Sequence, residues 1–174
     1  KIKGDFLDKL WQQIKDFPDY SINKSGDVVN DLTKRSVKQS ITNQGAVKVN
    51  LSRNGKQFTR SVKLLVAITF VPGETEDFNT PIHLDNNQLN NQHRNLAWRP
   101  RWFAWKYTHQ FVDISEVHFN GPILEVTTGI VHESVFTAAV KNGLLFKDIW
   151  RSIQMKEPTF PNGLSYELIR KSNK

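Results

Sequence analysis

Apolar positions come in short bursts along the chain, and their spacing switches repeatedly between that of a strand and that of a helix. Over 46–62, AVKVNLSRNGKQFTRSV, they alternate on both sides of Asn54-Gly55. That dipeptide suits a two-residue type I′ turn, because both positions take φ > 0. With Arg53 opposite Lys56, Leu51 faces Phe58 and Val47 faces Val62. Lys48, Asn50, Ser52, Gln57, Thr59 and Ser61 then share a polar face that carries no acid. The run VKLLVAITF at 62–70 predicts a short packed helix, stopped by Pro72-Gly73. Upstream, Leu10, Trp11 and Ile14 fit one side of a helix over 9–16, and Tyr20-Ser21-Ile22 and Val28-Val29 flank a Gly26 turn as two strands.

The last third reads differently. Pro122–Val131 predicts a hairpin turning at Thr128-Gly129. Ser134 is placed to cap a helix that ends at Asn142-Gly143, and a second helix from about Phe146 carries Ile149 and Ile153 at four-residue spacing. Two short helices across a Gly turn make a helix-turn-helix candidate. Leu164, Tyr166 and Leu168 alternate as a closing strand. Boundaries are expected at the acidic, turn-rich 73–80 and near 110–121.

A hydrophobic fraction of 38%, with 11 Phe and 5 Trp in 174 residues, suits several small cores closed by large rings. The absence of cysteine excludes disulfides, thiolate metal sites and cysteine nucleophiles. No apolar run approaches a membrane span and the opening residues have no signal-peptide core, so a cytoplasmic protein without a targeting segment is expected. The net charge of +7 points to a polyanionic partner, and its distribution sharpens that reading. From Leu32 to Gly73 there is no acid, but there are Lys34, Arg35, Lys38, Lys48, Arg53, Lys56, Arg60 and Lys63. A second acid-free stretch, Asn86 to Val112, carries Arg94, Arg99, Arg101 and Lys106. Solvated surfaces mix both signs, and long single-sign segments suit phosphate-facing surface.

Residues 81–100, PIHLDNNQLNNQHRNLAWRP, carry the chemistry. His83, Asp85, Asn91, Asn95, Leu96 and Trp98 resemble the motif of the HNH homing endonucleases of phage introns, and Leu65-Val66-Ala67 with Phe70 resembles the short helix before it. Trp11 to Val28 is similar to the small N-terminal module of such nucleases, and Gly129 to Leu168 to their C-terminal module, so the resemblance spans about residues 9–170. It implies an α+β chain of three modules: a basic β-rich DNA-binding module over 1–75, an HNH-like ββα motif over 76–112, and a helix-turn-helix-type module over 113–174.

The resemblance also implies roles. His83 would be the base that activates water and Asn95 would orient its ring. A divalent cation, Mg²⁺, would be held just before that histidine and on the following helix. Here those positions are Ile82 and Ala104, neither with a donor atom. Asp85 and Asn91 stand as substitute ligands, although Asp85 suits a turn better. His93, His109 and His118 have no ligand spacing. Trp98, Trp102, Phe103, Trp105 and Tyr107 suit packing of a motif without its ion better than stacking on bases. The expected partner is double-stranded DNA, met by the basic residues of 34–63, by Arg99 and Arg101, and by Lys147 and Arg151 of the second C-terminal helix. The expected activity is DNA binding with a degenerate nuclease centre, in the host-cell cytoplasm if the gene is phage-borne. Two other readings stay open: an active Mg²⁺-dependent nickase, and a repurposed component of a viral, polymerase or ribosomal assembly with RNA as the true ligand.

Overall fold

The computed structural model describes residues 10–112 and 121–169. Residues 113–120, with most of the second expected boundary and His118, lie outside the described residues, as do 1–9 and 170–174. The chain is α+β and divides into two compact units, 1–101 and 102–174.

The first unit opens with an antiparallel meander of β1 (Gln12–Ile14), β2 (Phe17–Ile22), β3 (Val28–Asn30) and β4 (Arg35–Ser36). The helix expected over 9–16 is absent: Gln12 and Gln13 are extended and pair with Ile22 and Ser21. Asp16, at φ 68°, turns the chain directly back into β2. Only Ile14 of the three apolar residues is buried, so a helix there would have had no apolar face to cover.

A second antiparallel sheet joins β5 (Gln39–Ile41), β6 (Val47–Arg53) and β7 (Lys56–Ser61). Its hairpin has the expected register, Leu51 opposite Phe58 and Arg53 opposite Lys56, with Asn54 and Gly55 both at positive φ. The pairing ends at Lys48–Ser61, because Val62 already belongs to α1 (Val62–Phe70). Ser61 caps that helix by accepting from the Leu64 N–H. Leu65, Val66 and Ala67 face inward, against a core that includes Ile22, Val28, Val49, Leu51 and Trp98. Each fully buried Val, Leu or Ile among these contributes roughly 1.5–3 kcal/mol by burial. A two-stranded hairpin, β8 (Thr80–His83) with β9 (Leu96–Arg99), completes the unit, and a 3-10 turn (His93–Asn95) precedes its second strand.

Gly26 links these parts. At φ +93° it occupies a conformation that L side chains rarely adopt, and a Cβ there would lie 2.9 Å from Val62 Cγ1 and 3.3 Å from Asn91 Cβ. The turn backbone therefore lies directly against the start of α1 and against Asn91. A second clasp forms where the His93 N–H donates to the Lys24 carbonyl at 2.9 Å.

The second unit begins within α2 (Arg101–His109), after its first residue. Its buried Phe103 and Tyr107 stack at 6.5 Å, and Tyr107 meets Phe111 edge-on at 5.2 Å. Phe111 in turn reaches Phe136 and Phe146. Strands β10 (Ile123–Glu125), β11 (Ile130–His132) and β12 (Tyr166–Leu168) make a sheet with β10 central. Helices α3 (Val135–Asn142) and α4 (Phe146–Met155) meet across Gly143, which is left-handed at φ 62°. The helix α3 starts in a capping box made by Ser134 and Thr137. Leu145 gives α4 no side-chain cap, and Gln110 serves instead: its Oε1 accepts from Phe146 N at 2.9 Å while its Nε2 donates to Leu144 O at 3.2 Å. Glu125, buried at the end of β10, accepts from His132, Thr128 and Asn142 at 2.9, 2.6 and 2.8 Å. No helix among the described residues is long and apolar enough to cross a membrane.

Candidate functional site

His83 closes β8 and is 8% exposed. Its Nε2 lies 3.0 Å from Asn91 Oδ1. The Asn91 amide is oriented by its own Nδ2, which faces the Leu89 carbonyl at 3.5 Å. With an amide oxygen as partner, Nε2 carries the ring proton, and the lone pair of the neutral imidazole is on Nδ1. Burial holds His83 below the usual histidine range; the Asn91 bond and the Asp85 charge oppose that shift, and the Lys63 charge adds to it. A neutral imidazole at physiological pH is the form that can accept a proton.

Asn95 does not orient that ring. Its Oδ1 accepts from the Asp85 N–H at 3.1 Å, and its Nδ2 donates to Asp85 Oδ1 and to the Asn90 carbonyl, each at 2.8 Å. The physical reason is the path of the turn: Asn91 is drawn inward against Gly26, while Asn95 closes the mouth of the hairpin. The ring-holding role expected of Asn95 thus falls to Asn91.

Asp85 is the hub of the turn. Oδ1 accepts from the Asn87 N–H at 2.8 Å as well as from Asn95, and Oδ2 accepts from Asn90 Nδ2 at 2.7 Å. Burial raises its pKa, but these three bonds and the nearby His83 outweigh that effect and leave it below the usual carboxylate range.

The donors needed by a divalent cation are therefore committed elsewhere. Both Asp85 oxygens and the Asn91 oxygen already accept hydrogen bonds. Ile82 is 3% exposed and has no donor, and position 104 is alanine. No group of three His, Asp or Glu among the described residues is placed to hold a metal ion. The residues present do not fit the ion.

The basic residues do not share one face. Lys34, Arg35, Lys38 and Lys56 are exposed, and Lys48 is half-buried on the polar side of β6. Arg53 and Arg60 lie on the other side, where each guanidinium stands 5.2–5.4 Å from the centroids of the Phe17 and Phe58 rings. Arg53 also donates to the Asp16 carbonyl at 3.1 Å. The hairpin register contained that signal, since Arg53 and Arg60 have the parity of Leu51 and Phe58. Lys63, half-buried in the first turn of α1, is in none of the ion pairs among the described residues, and burial lowers its pKa. Arg99 is buried at 9% exposure and donates to the Trp98 carbonyl, so it is not free surface for a phosphate. Arg101, Lys147 and Arg151 are exposed. The ring cluster of 98–107 divides too: Trp98, Phe103 and Tyr107 are buried, whereas Trp102 and Trp105 are open to solvent.

The strand histidine, the Asp- and Asn-rich turn and the Asn-Leu-x-Trp return strand are the features that resemble the HNH class of protein. The chain is 36% identical over 88 residues to an uncharacterized HNH endonuclease of Acanthamoeba polyphaga mimivirus, covering 51% of this chain and 22% of that protein. It is 33% identical over 89 residues to the DNA endonuclease I-HmuI of Bacillus phage SP01, covering 51% of each. The solved structure of the HNH homing endonuclease I-HmuI aligns over 94% of this chain and 99% of that one, at a TM-score of 0.53 and 24% identity. No protein-family profile matches the chain. The resemblance to HNH homing endonucleases therefore holds: the chain has homologues of that name over half its length and shares the fold of one. It spans 22% to 51% of the length of these curated relatives.

Proposed function

We propose that this chain binds double-stranded DNA on an HNH homing-endonuclease fold whose cleavage centre has kept its base and lost its ion. The observation that carries this reading is the commitment of the Asp85 and Asn91 oxygens to the turn and to His83, with Ile82 at the neighbouring position. Neutral His83 can take a proton from water through Nδ1. Without a divalent cation, little offsets the charge that develops on the phosphate and the leaving oxygen, and that electrostatic contribution is usually the larger one. Double-stranded DNA is favoured as the partner by the acid-free segments and by what the phage relative is named for. On this reading α3 and α4 act as a helix-turn-helix, with Lys147 and Arg151 of α4 toward the duplex.

The test is a nicking assay on supercoiled and linear duplex in Mg²⁺ and Mn²⁺, with binding followed in parallel. Salt-sensitive binding without metal-dependent nicking is expected. Robust metal-dependent nicking that disappears in His83→Ala overturns the degenerate-centre reading and leaves an active nickase.

A further inference from the structure

The second unit contains a cleft of about 360 Å³ that shares Lys147 and Arg151 with the α4 face of the reading above, and whose aromatic wall that reading does not use. Trp102 and Phe160 form its aromatic wall, their rings stacked at 5.7 Å and 24°. Both are unusually open for large rings, at 54% and 44% exposure. Lys106, Lys147 and Arg151 stand round the cleft with two carboxylates, Asp148 and Glu157, among them, so the cations exceed the acids by one. Lys106 Nζ lies 4.9 Å over the Trp102 ring, and Arg151 is steadied by Glu157 at 2.9 Å. The charges of all three cations act on the half-buried Asp148 carboxyl, whose pKa burial raises; they converge on one place.

This is the chemistry of a nucleotide. An exposed indole offers a face for a base, and each base stacked on an aromatic ring is held with little regard to sequence. Lys106 and Lys147 offer charge for a phosphate, and Arg151, paired with Glu157, keeps further N–H donors for it. Asp148 offers an acceptor for an exocyclic amino group, which adenine has and thymine lacks. The volume sits at the small end of ligand sites, near the size of one nucleotide rather than a duplex. Lys106 covers the indole from a flexible stem, so a base arriving there would displace its ammonium toward the phosphate.

We infer that the cleft bounded by Trp102, Phe160, Lys106, Lys147 and Arg151 holds a single unpaired nucleotide of a DNA strand. This rests on the duplex-binding reading, and the two fail separately. Extrahelical bases cost least where the strand is already unpaired, so a duplex with a one-adenine bulge is the natural probe.

The experiment measures full-chain affinity for a perfect duplex, for the same duplex with the bulge, and for free dAMP. A 2-aminopurine at the bulge reports stacking. The bulged duplex is expected to bind about tenfold more tightly, with 2-aminopurine emission quenched. Trp102→Leu abolishes the preference and the quenching while perfect-duplex binding stays, and Trp102→Phe keeps most of both. Equal affinity for bulged and perfect duplex overturns the cleft and leaves duplex binding standing. Saturable binding of free dAMP without a bulge preference overturns the strand-held nucleotide in favour of a free one. Failure to bind either duplex overturns both readings together.

Discussion

The buried imidazole of His83 is held by Asn91, 3.0 Å away, and among the described residues by no other side-chain hydrogen bond. That bond favours the protonated ring, against a burial effect that disfavours it. Asn91→Leu is therefore expected to lower the His83 pKa further, and Asn91→Asp to raise it. Histidine NMR titration of the three proteins checks both directions. Asn91→Leu also leaves a buried N–H without its acceptor, at a cost of about 1–3 kcal/mol in chemical denaturation.

The same depressed pKa fixes a slope in stability. The folded value lies below the unfolded one, so the unfolded chain takes up the proton first as pH falls. Stability is unaffected by His83 above roughly pH 7, since the unfolded pKa is about 6.5, and declines as pH drops through that value toward the folded one. His83→Gln is expected to flatten that limb of the melting temperature against pH.

The acid limb has a different origin. Glu125 is pulled down as an acid, although burial pushes it up, because Thr128, His132 and Asn142 all favour its charged form. Its contribution is complete above the ordinary carboxylate range and is lost as pH falls toward its folded value. Glu125→Gln is expected to cost about 2–4 kcal/mol at neutral pH and to give a shallower acid transition by circular dichroism. An unchanged acid midpoint would place the sensitivity elsewhere.

Charge reversals on the first unit divide by face. Lys34→Glu, Lys38→Glu and Lys48→Glu together are expected to weaken duplex binding at least tenfold and to reduce its salt slope, with little change in melting temperature. Arg53→Glu with Arg60→Glu removes guanidinium contacts to Phe17 and Phe58 as well, so the melting temperature falls with affinity. Fluorescence anisotropy across salt concentrations, beside thermal scans, separates the two.

Asp85 offers a test of the turn. Its three hydrogen bonds lie on an open surface, so Asp85→Ala is expected to cost only about 1–2 kcal/mol. Chemical denaturation supplies the number. If the mutation instead leaves stability unchanged but abolishes a metal-dependent activity, Asp85 is a ligand after all.

Much of this architecture was legible in the sequence because it rests on local chemistry. Asn54-Gly55 permits one kind of turn, Ser134 caps one helix, and Gly143 ends it left-handed. The helix wrongly expected over 9–16 arose from a spacing of Leu10, Trp11 and Ile14 that fits a helix, with no local sign that only Ile14 is buried. Strands β4 and β5 escaped because every residue in them is exposed, which leaves no alternation to read. The choice between Asn91 and Asn95 as partner of His83 was open for another reason. Both are asparagines in a polar turn, and only the packing of a distant glycine draws the first one inward.

That distant glycine sets a limit on transplantation. A peptide covering 79–100 would carry every letter of the HNH-like motif. Yet Asn91 is seated against Gly26, and His93 is clasped by Lys24, both from a turn more than fifty residues upstream. Grafted into another scaffold, the segment would bring its histidine without the brace that aims it. The motif is not a cassette, and an engineered nuclease built from this fold would have to inherit the N-terminal meander along with the hairpin.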